Sequence, residues 1–209
     1  MITLCWAAKG GSGTTVVTAA MALATTEPTL LVDLDGDQPT VLGLPDPERP
    51  GLHDWLRSEA ESSRLDGLEI PVDERVSLLP AGRIAAVEPE RWSALSDWLR
   101  HQRRHVVIDA GSKPPPAALF RAADRALLVT RPCYLAIRAA VRQGMRPTGV
   151  VLIDEPGRSL RRSDIEASIG APIVASSLND PAIARAVDAG LLVSRLPRGL
   201  RHQMRLAAA

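Results

Sequence analysis

Ala7-Ala8-Lys9-Gly10-Gly11-Ser12-Gly13-Thr14-Thr15 gathers three glycines, one cation and three hydroxyls in a single short stretch. Glycines at 10, 11 and 13 let the backbone turn so that successive N–H groups point at one anion. A helix starting directly afterwards would add the positive end of its dipole. The chemistry of such a turn is phosphate binding. Its outline is that of the loop G-x-x-x-x-G-K-[ST], in which the lysine reaches the β/γ-phosphates and the hydroxyl binds Mg²⁺. Thr15 stands at the hydroxyl position, and Thr14 stands where the lysine should be. The alternative is a glycine-rich turn with an incidental cation.

Acids form the second set. Asp33 and Asp35 lie in Leu31-Val32-Asp33-Leu34-Asp35-Gly36-Asp37-Gln38, and Asp109 ends Val106-Val107-Ile108-Asp109. Acids at the carboxyl ends of parallel strands sit where α/β sheets place their ligands. Mg²⁺ prefers an octahedral oxygen shell shared with phosphates and water, which Thr15, Asp33 and Asp109 could complete. Strand-end aspartates also serve simply to accept loop N–H groups or to cap helices.

Positioning these residues takes alternating strands and helices. The strand Met1–Trp6, the loop and an alanine-rich helix Val16–Ala24 make the first unit. Strands Thr29–Asp33, Leu68–Pro71, Arg75–Leu79, His105–Asp109, Arg125–Thr130, Thr148–Ile153 and Pro172–Ala175 follow. Between them fall helices at Thr40–Leu44, Gly51 toward Ser62, a capped amphipathic Pro89–Arg103, Tyr134–Gly144, Ser163–Gly170 and Asp180–Ala189. Pro45, Pro47 and Pro50 break the chain, and Pro114-Pro115-Pro116 reads as a stiff loop. The alternation predicts a doubly wound, mainly parallel α/β sheet with helices on both faces, in one domain spanning 1–209.

Composition narrows the functions. Net charge is +1 and aromatics are 3% of the 209 residues, so there is no global pull to polyanions and no base-stacking platform. Cys5 and Cys133 are isolated and read as reduced thiols. With no apolar run near the ~20 residues of a membrane span and no signal-peptide pattern, the expected location is cytoplasmic. The four histidines lack metal-ligand spacing. Lys9 and Lys113 are the only lysines in an arginine-rich chain. A compact ammonium fits a tight phosphate loop better than a guanidinium fork does.

Lys9-Gly10-Gly11-Ser12-Gly13-Thr14-Thr15 resembles K-G-G-x-G-K-[ST], the deviant Walker loop of the ParA/MinD family of P-loop ATPases. The resemblance extends over nearly the whole chain, including Arg125-Ala126-Leu127-Leu128-Val129-Thr130-Arg131-Pro132 and Gly149-Val150-Val151-Leu152. It implies ATP or ADP with Mg²⁺ as cofactors, held by Lys9 and the loop from Gly10 to Thr15. It also implies a homodimer in which Lys9 reaches the partner's phosphates. Asp33 would organise Mg²⁺ through water, Asp35 would position the attacking water, and Asp109 would hold a magnesium-bound water. Asn179, Asp180 and Pro181 resemble the loop beside the purine. Ile153 departs from the family, where an asparagine often reads adenine at that place. The Gly-Thr substitution and the run Leu31–Leu44 followed by Gly51–Leu56 are similar to the TadZ/CpaE branch, which helps localise pilus machinery.

Losing the loop lysine removes charge needed in phosphoryl transfer, a loss typically of about 10²–10³ in rate. Two readings stay open. One is a positioning switch that dimerises around MgATP and hydrolyses it weakly or not at all, acting on an unknown protein partner or cargo. The other is a scaffold with no nucleotide cycle. Arg138, Arg142, Arg146, Arg158, Arg161 and Arg162 could meet DNA non-specifically. The basic tail Arg195–Leu206, with Leu200, Met204 and Ala207 at helical spacing, would be a peripheral membrane contact or a docked helix.

Overall fold

Runs of aliphatic and β-branched residues with no polar alternation belong in strands covered on both faces. In the computed structural model, which describes residues 1–45 and 48–208, they form one sheet. Its strands are β1 Ile2–Trp6, β2 Thr29–Asp33, β3 Ile70–Pro71, β4 Val76–Leu79, β5 His105–Asp109, β6 Arg125–Thr130, β7 Gly149–Asp154 and β8 Ile173–Leu178. The order is β3-β4-β2-β5-β1-β6-β7-β8, with every pairing parallel except the short β3 against β4. Every residue of β1 and β2 is buried. The chain winds outward from β1 to one edge, then crosses back through β5 to build the other side. Their carboxyl ends flank the crevice where such sheets take ligands.

Helices cover both faces. They are α1 Thr14–Ala24, α2 Gln38–Leu42, α3 Leu52–Leu56, α4 Pro89–Arg100, α5 Ala117–Ala122, α6 Tyr134–Gln143, α7 Arg162–Ile169, α8 Pro181–Asp188 and α9 Arg198–Ala208. Successive strand residues point to opposite faces, so Leu31 packs toward α1 while Leu30 and Val32 pack toward α3 and α4. α1 is apolar nearly all round because it is covered on both sides, by the sheet and by α9.

Several boundaries differ from the sequence reading. α1 starts at Thr14 rather than Val16, because Gly13 takes the left-handed conformation (φ 87°) immediately before it. α2 starts at Gln38 rather than Thr40, with Pro39 fitted into its first turn. α3 stops at Leu56, and a 3₁₀ segment Ser62–Leu68 replaces the first residue of the expected strand. α4 has no side-chain cap; Pro89 begins it instead, and it ends at Arg100. α5 is new: the prolines before it end at the residue preceding the helix, where proline is compatible with helix initiation. β8 runs on to Leu178. Pro47 lies outside the described residues.

The basic tail is a docked helix. Leu200, Met204 and Ala207 are buried against α1, and Arg201 Nη1 donates to the Leu23 carbonyl at 3.1 Å, satisfying a free carbonyl at the end of α1. The stripe that would enter a membrane is already used in the core. Among the described residues no helix is long and apolar enough to cross a membrane. Met204 has no exposure, so Met204→Ala should destabilise the fold by about 2–5 kcal/mol in urea unfolding. No change in the midpoint would mean that α9 is detached in solution.

Candidate functional site

β1 delivers the glycine loop to the mouth of the sheet. The Ala110 N–H donates to the Cys5 carbonyl (2.9 Å) and the Ala7 N–H to the Gly111 carbonyl (2.8 Å), so the ends of β1 and β5 are tied. Gly11 and Gly13 adopt φ of 74° and 87°, values side chains rarely take. The Ser12 hydroxyl donates to the Lys9 carbonyl at 2.7 Å and tightens the turn. The N–H groups of Gly10, Gly11, Gly13, Thr14 and Thr15 donate to no acceptor among the described residues. A turn of free amides at a helix start is an anion cradle. Lys9 is exposed at its rim, and Thr14, at the lysine position, is buried as the first residue of α1.

The acids end the next two strands, Asp109 on β5 and Asp33 on β2. Asp33 and Asp109 are Cα partners in the β2–β5 ladder, and neither has any exposure. Asp33 Oδ1 accepts the N–H groups of Asp35 (3.0 Å) and Gly36 (2.8 Å), and Oδ2 accepts that of Gln38 (3.1 Å). Its oxygens therefore organise the following loop, the alternative noted from sequence. Asp109 Oδ1 accepts the Gly111 N–H at 3.0 Å. Asp35 is half-buried and packs on Gly111, where a Cβ would come 2.2 Å from its Oδ2; only glycine permits that approach.

Gln38 joins these parts, a role not foreseen although it closes the quoted acidic run. Its side-chain amide approaches Asp109 Oδ2 (2.8 Å), the Thr18 hydroxyl (2.7 Å) and the Thr15 carbonyl (3.1 Å). Its own Oε1, fully buried, has no partner. Arg131 was also missed, although it stands in the quoted end of β6. Its Nη1 donates to Glu155 Oε1 at 2.6 Å, its Nη2 donates to the Gly11 carbonyl, and Arg158 Nε holds the other Glu155 oxygen at 2.6 Å.

Beside the loop lies an apolar cavity of about 290 Å³. Gly13, Val17, Ile153, Asn179, Asp180 and Ile183 line it, so Gly13 belongs to both loop and cavity. The Asn179 N–H donates to the Asp154 carbonyl at 2.9 Å, and Asp180 caps α8 by accepting the Ala182 N–H at 2.8 Å. Pro181 starts α8 and is not among the lining residues.

These residues fit a magnesium nucleotide. The free amides suit phosphates, and the adjoining cavity is near the ~300 Å³ lower bound of small-molecule sites. No group of three or more His, Cys, Asp or Glu side chains able to hold a metal occurs among the described residues. The oxygen donors near the loop, the Thr15 hydroxyl and the Asp33 and Asp109 carboxylates, are of the type that Mg²⁺ takes.

Structures with the same fold bear on this geometry. Septum site-determining protein MinD from Pyrococcus horikoshii, complexed with Mg-ADP, has a TM-score of 0.77 at 22% identity, over 99% of this chain and 95% of that one. A ParA family ATPase from Chlorobium tepidum gives 0.76 at 20%, over 99% and 98%. The ATP complex of a McdA variant from Cyanothece gives 0.68 at 18%, over 100% and 95%. At such identities the likeness is one of fold: the chain has the doubly wound α/β fold of MinD and ParA ATPases. No protein-family model and no curated protein matches it.

Burial pushes the Asp33 carboxyl up to about 7, with the neighbouring Asp109 adding to the rise and three loop N–H groups opposing it. Burial likewise raises Asp109 to about 6, against the hydrogen bonds of Gly111, Gln38 and Thr15. Both hold a proton more tightly folded than unfolded, where an aspartate titrates near ~3.9. Their stabilisation is full below about pH 4 and is lost as pH rises through 6 and 7. In urea unfolding, Asp109→Asn should gain on the parent chain as pH rises from about 4 to about 6. A difference that stays constant across that range would reject burial as the cause.

Proposed function

We propose that this chain is a member of the ParA/MinD family, a single-domain cytoplasmic positioning switch that binds MgATP, dimerises around it and hydrolyses it weakly or not at all. The observation that carries the reading is a cradle of unpartnered amides at the start of α1, continuous through Gly13 with the cavity beside Asn179 and Asp180. The phosphates would lie on the backbone from Gly10 to Thr15, and the base against Ile153 and the Asn179–Pro181 loop. Mg²⁺ supplies counter-charge to the phosphates. Thr15 would hold it, with Asp33 and Asp109 behind its waters and Asp35 beside the attacking water.

Lys9 has the role of a cross-dimer contact. It is exposed, so a second protomer can receive it. Affinity for nucleotide and for the second protomer are then linked, each favouring the other. For a polyanionic surface such as DNA, the exposed arginines on α6 and α7 are the available face. A membrane anchor in α9 would have to give up the packing of Leu200, Met204 and Ala207. Cargo or protein partner would then be placed by the dimer.

Calorimetric titration with MgATP and MgADP, with sedimentation on the same samples, tests this. The expected result is saturable MgATP binding that drives dimer formation, with both weakened in Lys9→Ala. Absence of binding up to millimolar nucleotide would leave the fold as a scaffold.

That second reading is favoured by two observations: Thr14 removes the loop cation, and Ile153 puts an aliphatic side chain on the cavity wall. Thr14→Lys separates the readings. On the switch reading it should raise ATP turnover by about 10²–10³-fold, because the rest of the site is intact. No gain would point to the scaffold.

A further inference from the structure

We propose that Arg131 supplies, within the same chain, the phosphate-facing positive charge that Thr14 has removed from the loop. The inference rests on the nucleotide reading above and adds a binding residue to it.

Arg131 directly follows β6, the strand beside β1, so its Cα emerges next to the loop that follows β1. The guanidinium crosses to that loop, and Nη2 donates to the Gly11 carbonyl. Gly11 leaves room for it: a Cβ there would lie 3.2 Å from Nη2. The contact fixes the Gly11 peptide by its carbonyl, which constrains where the neighbouring amides point.

Charge then decides what the guanidinium can do. Glu155 holds Nη1 at 2.6 Å, but Arg158 already engages the other Glu155 oxygen, so one carboxylate serves two guanidinium groups. Those two arginines also hold the Glu155 carboxyl below its usual range. With Lys9 on the same rim, the cluster stays net positive. Lys9 and Arg158 also act by charge on Cys133 at the head of α6, helping, after the Ala136 and Leu135 amides, to lower its thiol. A guanidinium carries five N–H donors, and the two contacts leave the others free. The Arg131 side chain is 35% exposed, so solvent and ligands can reach part of it. An ordinary surface ion pair would need neither the loop carbonyl nor a second arginine on the same carboxylate. A fork that meets phosphate through two parallel bonds is what arginine offers and threonine cannot.

Calorimetry on the full chain with MgATP, MgADP and adenosine provides the test. Arg131→Ala should weaken MgATP about tenfold to a hundredfold, weaken MgADP less, and leave adenosine unchanged. Arg131→Lys should keep part of the affinity, since it retains the charge and loses the fork. Adding Thr14→Lys to Arg131→Ala should restore MgATP binding by returning a cation to the same phosphates. Equal loss for all three ligands, or a loss that Thr14→Lys does not restore, would make Arg131 a support for the loop alone and overturn the proposal. Unchanged MgATP affinity in Arg131→Ala would overturn it while leaving the nucleotide reading intact. A parent chain that binds no nucleotide would overturn both.

Discussion

Two carboxylates without access to water, at facing positions of neighbouring strands, set the terms for this site. Asp33 and Asp109 cannot both ionise there without donors or a cation, because burial and like charge act in the same direction. The local architecture answers that demand. The acidic loop turns back so that three of its own N–H groups reach Asp33, and Gln38 swings inward to Asp109. Since Gln38 also grips the first turn of α1, the charge state of the pair is tied mechanically to the glycine loop. A cation arriving near the pair would favour ionisation and load the same bonds. Its effect would then reach α2, which Gln38 begins.

The glycine loop meets the complementary problem, an excess of donors. The amides of Gly10, Gly11, Gly13, Thr14 and Thr15 have no acceptor among the described residues, and the helix behind them adds positive potential. With Arg131 supplying charge beside the cradle, loss of the lysine at position 14 bears on charge development in a reaction more than on binding. The charge that remains nearby sits on the rim, in Lys9 and Arg131, rather than on the helix itself. Lys9, exposed there, is free to serve a neighbouring protomer, whereas Arg131 serves its own loop. This geometry suits a device whose output is association.

Much of the fold was legible because buried parallel strands read as uninterrupted apolar runs; β2, β5 and β6 have the limits their sequences suggest. Helix limits were harder, since they depend on backbone conformations such as that of Gly13, which composition does not reveal. α5 was hidden behind three prolines because a helix start and a stiff loop share that signature. The loop and the three acids were legible as types at spacings. Their environments were not. Nothing in the sequence says that Asp33 spends its oxygens on its own loop, or that Gln38 and Arg131 bridge segments far apart in the chain. Those contacts arise from the strand order, which brings β5 and β6 to either side of β1.

The cavity beside Gly13 limits how selective a base site here can be. Its walls are largely aliphatic, with Val17, Ile153 and Ile183 among them, and such walls contribute area without direction. Discrimination between bases depends on polar groups left unpaired by the wrong ligand. Ile153 offers none. Asp180 has committed one carboxylate oxygen to capping α8, and the Asn179 backbone N–H is spent on Asp154. The unspent hydrogen-bonding capacity at the edge of the cavity lies in the Asn179 side chain and in carboxylate oxygens of Asp180 and Asp188. A nucleotide bound by this chain would be held by its phosphates first and identified by its base second. The tight control then falls on the loop and its rim, where Lys9, Arg131 and the free amides converge.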